Sequence, residues 1–200
     1  VILGQLSIGA APHLKTGVTE MTKRSREWMG RLLAGIAVGL IALPALTAEP
    51  CSAFIWDVRQ ERALFASTPQ AAAAGANAVS AAALVPDHLY QLTLMPQPQV
   101  TFAAPPGKRM LTDGAFAGVV AFQVTAPGTY RIALDQPFWI DVVLEGHLLA
   151  SKDFQGAPDC APHKIVEFDL PAGKQLLLQF SGATSPTTRV TITRAPAPKA

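Results

Sequence analysis

The side chains of this chain that could do chemistry are few and widely spaced. His163 and Glu167 flank the start of a strand-like run and share an outward face with Ile165 and Asp169. Joined by His147, and by Asp153 or Asp159, they form a candidate metal set of His147, His163 and Glu167. The competing reading is a solvated strand edge where polar side chains belong, and the spacing favours it. The three histidines after residue 80, His88, His147 and His163, include no His-x-His or His-x-Glu pair to supply two ligands from one strand. Trp139 and Asp141 alternate out of phase with Phe138, Ile140, Val142 and Leu144. An indole beside a carboxylate on an outer face can stack on a sugar ring and bind its hydroxyls, and Tyr130 is the third member of this candidate ligand site. The alternative, favoured here, is that an N-terminal segment covers Trp139 while Arg131 on a neighbouring strand satisfies Asp141. There is no G-x-S-x-G elbow and no glycine-rich phosphate loop. No catalytic residue and no cofactor is assigned.

The leader sets the compartment in which these residues are read. From Met21, a positive stretch (Lys23, Arg24, Arg26, Arg31) precedes an uncharged apolar run, Leu32 to Leu43, and the small-residue ending Leu46-Thr47-Ala48. This is the layout of a cleavable secretory signal peptide over 21–48, with residues 1–20 an upstream extension. The run is shorter than the ~20 residues a membrane-spanning helix needs, so contact with a membrane is expected only before cleavage. Periplasmic or secreted placement follows. Residues 1–48 also carry five of the sixteen Lys and Arg and two of the fourteen Asp and Glu. Eleven basic and twelve acidic residues remain, and with no basic stripe among them nucleic acid is not an expected partner. In an oxidising compartment the two cysteines, Cys51 and Cys160, are expected to pair.

The elements that must position these groups are strands. Val120, Phe122 and Val124, then Tyr130, Ile132 and Leu134, then Phe138 to Leu144 alternate with period two, and so do Val166 to Leu170, Leu176 to Phe180 and Val190 with Ile192. Pro127-Gly128, Glu145-Gly146 and Pro171-Ala172-Gly173 punctuate them. Eight or nine short strands without a long helix predict an all-β, antiparallel, jelly-roll-like sandwich over 86–194, with a closed barrel as the competitor. Residues 49–85 read as an arm followed by an alanine-rich segment with one or two helical turns, 151–163 as an irregular excursion, and 195–200 as a frayed tail. Val100 and Phe102 read as a continuation of the strand begun at Leu89.

The run Phe122-x-Val124-x-x-Pro127-Gly128-Thr129-Tyr130-x-Ile132, followed by Ile140-Asp141-Val142-x-Leu144-x-Gly146, resembles exported jelly-roll modules of the carbohydrate-binding and pre-peptidase C-terminal kind. The stretches Phe54 to Phe65, Phe122 to Asp135 and Asp153 to Gly173 resemble short exported proteobacterial proteins, some labelled homogentisate 1,2-dioxygenase. That label implies a non-haem iron site of two histidines and a carboxylate, a pattern the histidine spacing does not supply. The expected function is a non-enzymatic exported sandwich that binds a glycan, another ligand or a protein partner in the cell envelope. The alternatives are a small metal-dependent enzyme and a structural protein that pairs through a strand edge.

Overall fold

The computed structural model describes residues 51–108 and 113–197. The expected signal peptide, the upstream extension and the last three residues of the tail lie outside them. The chain begins with an arm and one short helix, α1 (Arg59–Phe65), and continues in strands: β1 (Gln70–Ala73), β2 (Ala82–Leu84), β3 (Tyr90–Thr93), β4 (Met95–Pro96), β5 (Phe116–Phe122), β6 (Gly128–Leu134), β7 (Trp139–Leu144), β8 (His147–Leu149), β9 (Ser151–Gly156), β10 (Lys164–Leu170), β11 (Leu176–Ala183) and β12 (Thr187–Arg194). They form two sheets, ordered β1-β3-β12-β6-β10-β9 and β2-β5-β11-β7-β8. The fold is an all-β sandwich, with neither sheet closed into a barrel. Its connectivity is jelly-roll-like: from β5 to β7 and from β10 to β12 each successive strand crosses to the opposite sheet.

The period-two residues face one another across the sandwich. Ile132, Leu134, Val166, Phe168, Val190 and Ile192 of the first sheet meet Val120, Phe122, Ile140, Val142, Leu176, Leu178 and Phe180 of the second in one buried cluster. Phe138 meets Phe180 edge-on, with ring centres 6.0 Å apart. Between β7 and β8 the loop is only Glu145-Gly146, and both residues have positive φ, +50° and +80°, as the tight turn matching strand twist requires.

The outer faces are covered too, each by a different segment. The arm and α1 lie on the first sheet, where Phe54, Val58, Phe65, Ala133 and Ile165 form a second buried cluster with Cys51 and Cys160. The two cysteines are joined as a disulfide with 4.9 Å between their Cα atoms. Beneath α1, Arg131 Nε donates to Glu167 (2.9 Å), its Nη1 donates to the Asp57 carbonyl (2.7 Å), and Glu61 accepts from the Thr193 hydroxyl (2.8 Å). The stretch before β5 crosses the outer face of the second sheet and bonds to Gln179 through Ala104.

Several expectations are corrected here. The alanine-rich segment contains no helix; it supplies β1 and β2, so the sandwich begins before residue 86. Both strands pair in parallel, β1 with β3 and β2 with β5. Small side chains suit this place, since a Cβ on Gly118 would run into the Ala74 methyl. The excursion after Ala150 is in part strand β9, which shows no apolar alternation because it is an edge strand exposed along almost its whole length. Val100 and Phe102 lie outside any strand, beyond a 3-10 turn at Gln97–Gln99. Phe54 to Val58 lead into α1. The tail is held at its start by Ala195, whose N–H donates to the Thr129 carbonyl (2.9 Å).

Candidate functional site

A cleft lies between the two sheets, where β8 crosses to β9. Register explains why it exists. β8 pairs with Val142, Val143 and Leu144 of β7, so on that side Trp139, Ile140 and Asp141 have no strand neighbour. The chain then leaves at Ala150 to build β9 against β10 on the other sheet. The result is a cleft of about 480 Å³, within the range of small-molecule sites. Its wall is mostly apolar: Trp139 and Ile140 from β7, Leu148 and Leu149 from β8, Phe154 from β9, and Val166 and Phe168 from β10. Phe154 stands at the rim with 68% of its surface exposed.

The charged groups here are a committed acid, one cation that lines the cleft, Lys164, and a second, Lys108, near the same indole. Asp141 accepts hydrogen bonds from the Trp139 indole N–H (2.9 Å), the Gly107 N–H (3.2 Å) and the Gln179 amide (3.3 Å). It therefore serves to hold Trp139 and the covering segment in place. A Cβ at 107 would lie 2.8 Å from the Asp141 carboxylate, so a larger residue there would have to displace that side chain. Lys164 enters from the first residue of β10, in the inward phase of Val166, Phe168 and Leu170, and its ammonium donates to the Phe138 carbonyl (2.9 Å). It also lies 5.4 Å from the Trp139 ring centre, and the Lys108 ammonium lies 5.6 Å from it, both at cation–π distance. Burial pushes the Lys164 pKa below the ordinary lysine value; the charge of Lys108 adds to this and the Asp141 carboxylate opposes it. Among the described residues neither Lys108 nor Lys164 has a carboxylate within ion-pair distance.

The residues singled out in the sequence are dispersed by this arrangement. Trp139 and Asp141 meet as expected, but the segment ending at Gly107 covers them, not the N-terminal arm, which lies on the opposite sheet. Asp141 is not paired to Arg131, because β6 and β7 belong to different sheets and Arg131 is bound to Glu167. Tyr130 is no part of the cleft: it is buried in the core, and its hydroxyl donates to the Ala126 carbonyl (2.9 Å). His147 is on β8 and His163 precedes β10, where its Nδ1 lies 3.3 Å from the Pro158 carbonyl oxygen. Among the described residues no three His, Cys, Asp or Glu side chains are grouped to hold a metal ion, so His147, His163 and Glu167 do not form the set considered above. Nor is the face of Glu167 a solvated edge, since β10 lies between β6 and β9 and Ile165 is buried beneath the arm.

Sequence reasoning missed Lys164, Lys108 and Phe154. Lys164 carried a signal, a cation in phase with the alternating apolar residues of a strand. Phe154, a lone aromatic in a polar run, carried a weaker one. No protein-family model and no curated protein matches the chain.

Proposed function

We propose that the chain is an exported, non-enzymatic β-sandwich that binds a ligand in the cell envelope, and that the ligand occupies the Trp139 cleft. One observation carries this reading: beside Trp139 the sandwich opens into a largely apolar space lined by the Lys164 ammonium, with the Lys108 ammonium near the same indole and no carboxylate among the described residues within ion-pair distance of either. The disulfide supports placement outside the cytoplasm. Among the described residues no helix is long and apolar enough to cross a membrane. The cleft suits binding better than turnover, because its carboxylate is spent on three N–H donors and its lining includes neither His147 nor His163. The resemblance to exported jelly-roll binding modules points the same way.

A second reading rests on the same rim. Among the described residues β9 is the last strand of its sheet and presents Phe154, and such an edge can accept a strand from another chain. A thermal-shift panel of glycans, small amphiphiles and extended peptides separates the two readings. Ser151 is the cross-strand partner of Phe168, so Ser151→Trp places an indole in the cleft. Cleft binding predicts that a small molecule raises the melting temperature by about 5 °C at saturating concentration and that Ser151→Trp abolishes the shift. Stabilisation by peptides alone would favour the strand-edge reading, and a small-molecule shift that survives Ser151→Trp would refute cleft binding.

A further inference from the structure

The chemistry of the cleft narrows what it takes. Its walls offer an aromatic face, Trp139, and the aliphatic or aromatic side chains of Leu148, Phe154 and Val166, so the body of an occupant gains by being apolar. Its polar groups are unbalanced. Asp141 has its oxygens turned to three N–H donors, whereas Lys164 spends one donor on the Phe138 carbonyl and an ammonium has three. Lys164 is half-buried, and no carboxylate lies within ion-pair distance of it among the described residues. A cation kept in an apolar setting without a counter-ion is costly unless a partner arrives. Lys108, near the same indole, doubles the positive charge that an occupant meets.

Building on the proposed cleft binding, we infer that the ligand is an amphipathic anion. Its single carboxylate sits between the Lys164 and Lys108 ammoniums, and its apolar body lies on Trp139, Leu148 and Phe154. A neutral sugar would leave the lysines unpaired and place hydroxyls against leucine and phenylalanine. An amine would add a third positive charge. The lowered pKa of Lys164 fits this arrangement, since an arriving carboxylate supplies the opposite charge that burial and Lys108 make scarce.

Three probes with one body and different heads test the inference: octanoate, octan-1-ol and octylamine. Their affinities are measured by ligand-observed NMR, and Ser151→Trp serves to subtract binding outside the cleft. Octanoate is expected to bind about tenfold tighter than octan-1-ol, the value of one charge-assisted hydrogen bond, with octylamine weakest. Lys164→Met removes the preference for octanoate, Lys164→Arg retains it, and Lys108→Met, an exposed change that leaves the Phe138 contact intact, reduces it. Octan-1-ol binding as tightly as octanoate, or a preference unchanged in both Lys164→Met and Lys108→Met, overturns the anion assignment and leaves cleft binding standing. Failure of all three probes to show a component lost in Ser151→Trp overturns both.

Discussion

Lys164 occupies a position that strand geometry would ordinarily give to a valine. It follows the inward phase of β10, and it reaches the mouth of the sandwich only because it stands at the strand's first residue. Folding therefore transfers an ammonium from water to a half-buried site beside Lys108, and the folded pKa lies below the ordinary 10.5. The sign of the effect on stability follows. At pH below the lowered folded pKa both states are charged and the full penalty applies. Between that pKa and the ordinary value the unfolded chain holds more protons, so stability rises with pH, and above both values the penalty is gone. The stability of the natural protein minus that of Lys164→Met, taken from urea melts between about pH 8 and about pH 11, is expected to climb. A flat difference would show that the lysine is as well solvated folded as unfolded. Asp141 plays the opposite part: its cross-strand partner Gln179 and the glycine at 107 bring two donors to it, beside the Trp139 indole N–H. Those contacts were not visible in the sequence, because they join β7 and β11 to a segment far away in the chain.

At the scale of elements, the two outer faces show where pattern reading succeeds and where it stops. Strands that bury one face and expose the other announce themselves, and β6, β7, β10, β11 and β12 were legible from alternation. β1, β2 and β9 were not. The first two consist largely of alanines, whose side chains give little contrast between faces, and β9 is exposed along nearly all its length, so nothing alternates. The docking of α1 was equally hidden, because it depends on charges from three separate elements. Glu61 is only 1% exposed, and with Glu167 it shares one guanidinium, that of Arg131, which also lies 4.7 Å from the Trp56 ring centre. Arg131→Met leaves two carboxylates beneath the helix without their cation. It is expected to cost about 3 kcal/mol in denaturant unfolding and to raise amide exchange across Arg59–Phe65, while the disulfide keeps the arm tethered. A loss below about 1 kcal/mol, the range of an exposed pair, would mean that the cluster is open to solvent.

For the molecule as a whole, the sandwich is a scaffold covered on both outer faces, by the arm on one sheet and by the segment before β5 on the other. The open side between the sheets is where the proposed binding is placed. Half of the candidate site was legible: Trp139 and Asp141 stood out as an aromatic and an acid on the outward phase of β7. The other half comes from strands of the opposite sheet, and the crossing at Ala150 that brings Phe154 and Lys164 opposite Trp139 is a property of topology, not of local pattern. The central claim is that this opening is where the protein binds. It is tested most directly by mapping backbone and indole N–H chemical shifts during a titration with octanoate. The account predicts that the largest changes fall on the Trp139 indole N–H and on the amides of Leu148, Ser151, Phe154 and Val166, and that they vanish in Ser151→Trp. Changes confined to the arm, to α1 or to the far edge at β1 and β2, with the Trp139 indole N–H unmoved, would contradict it.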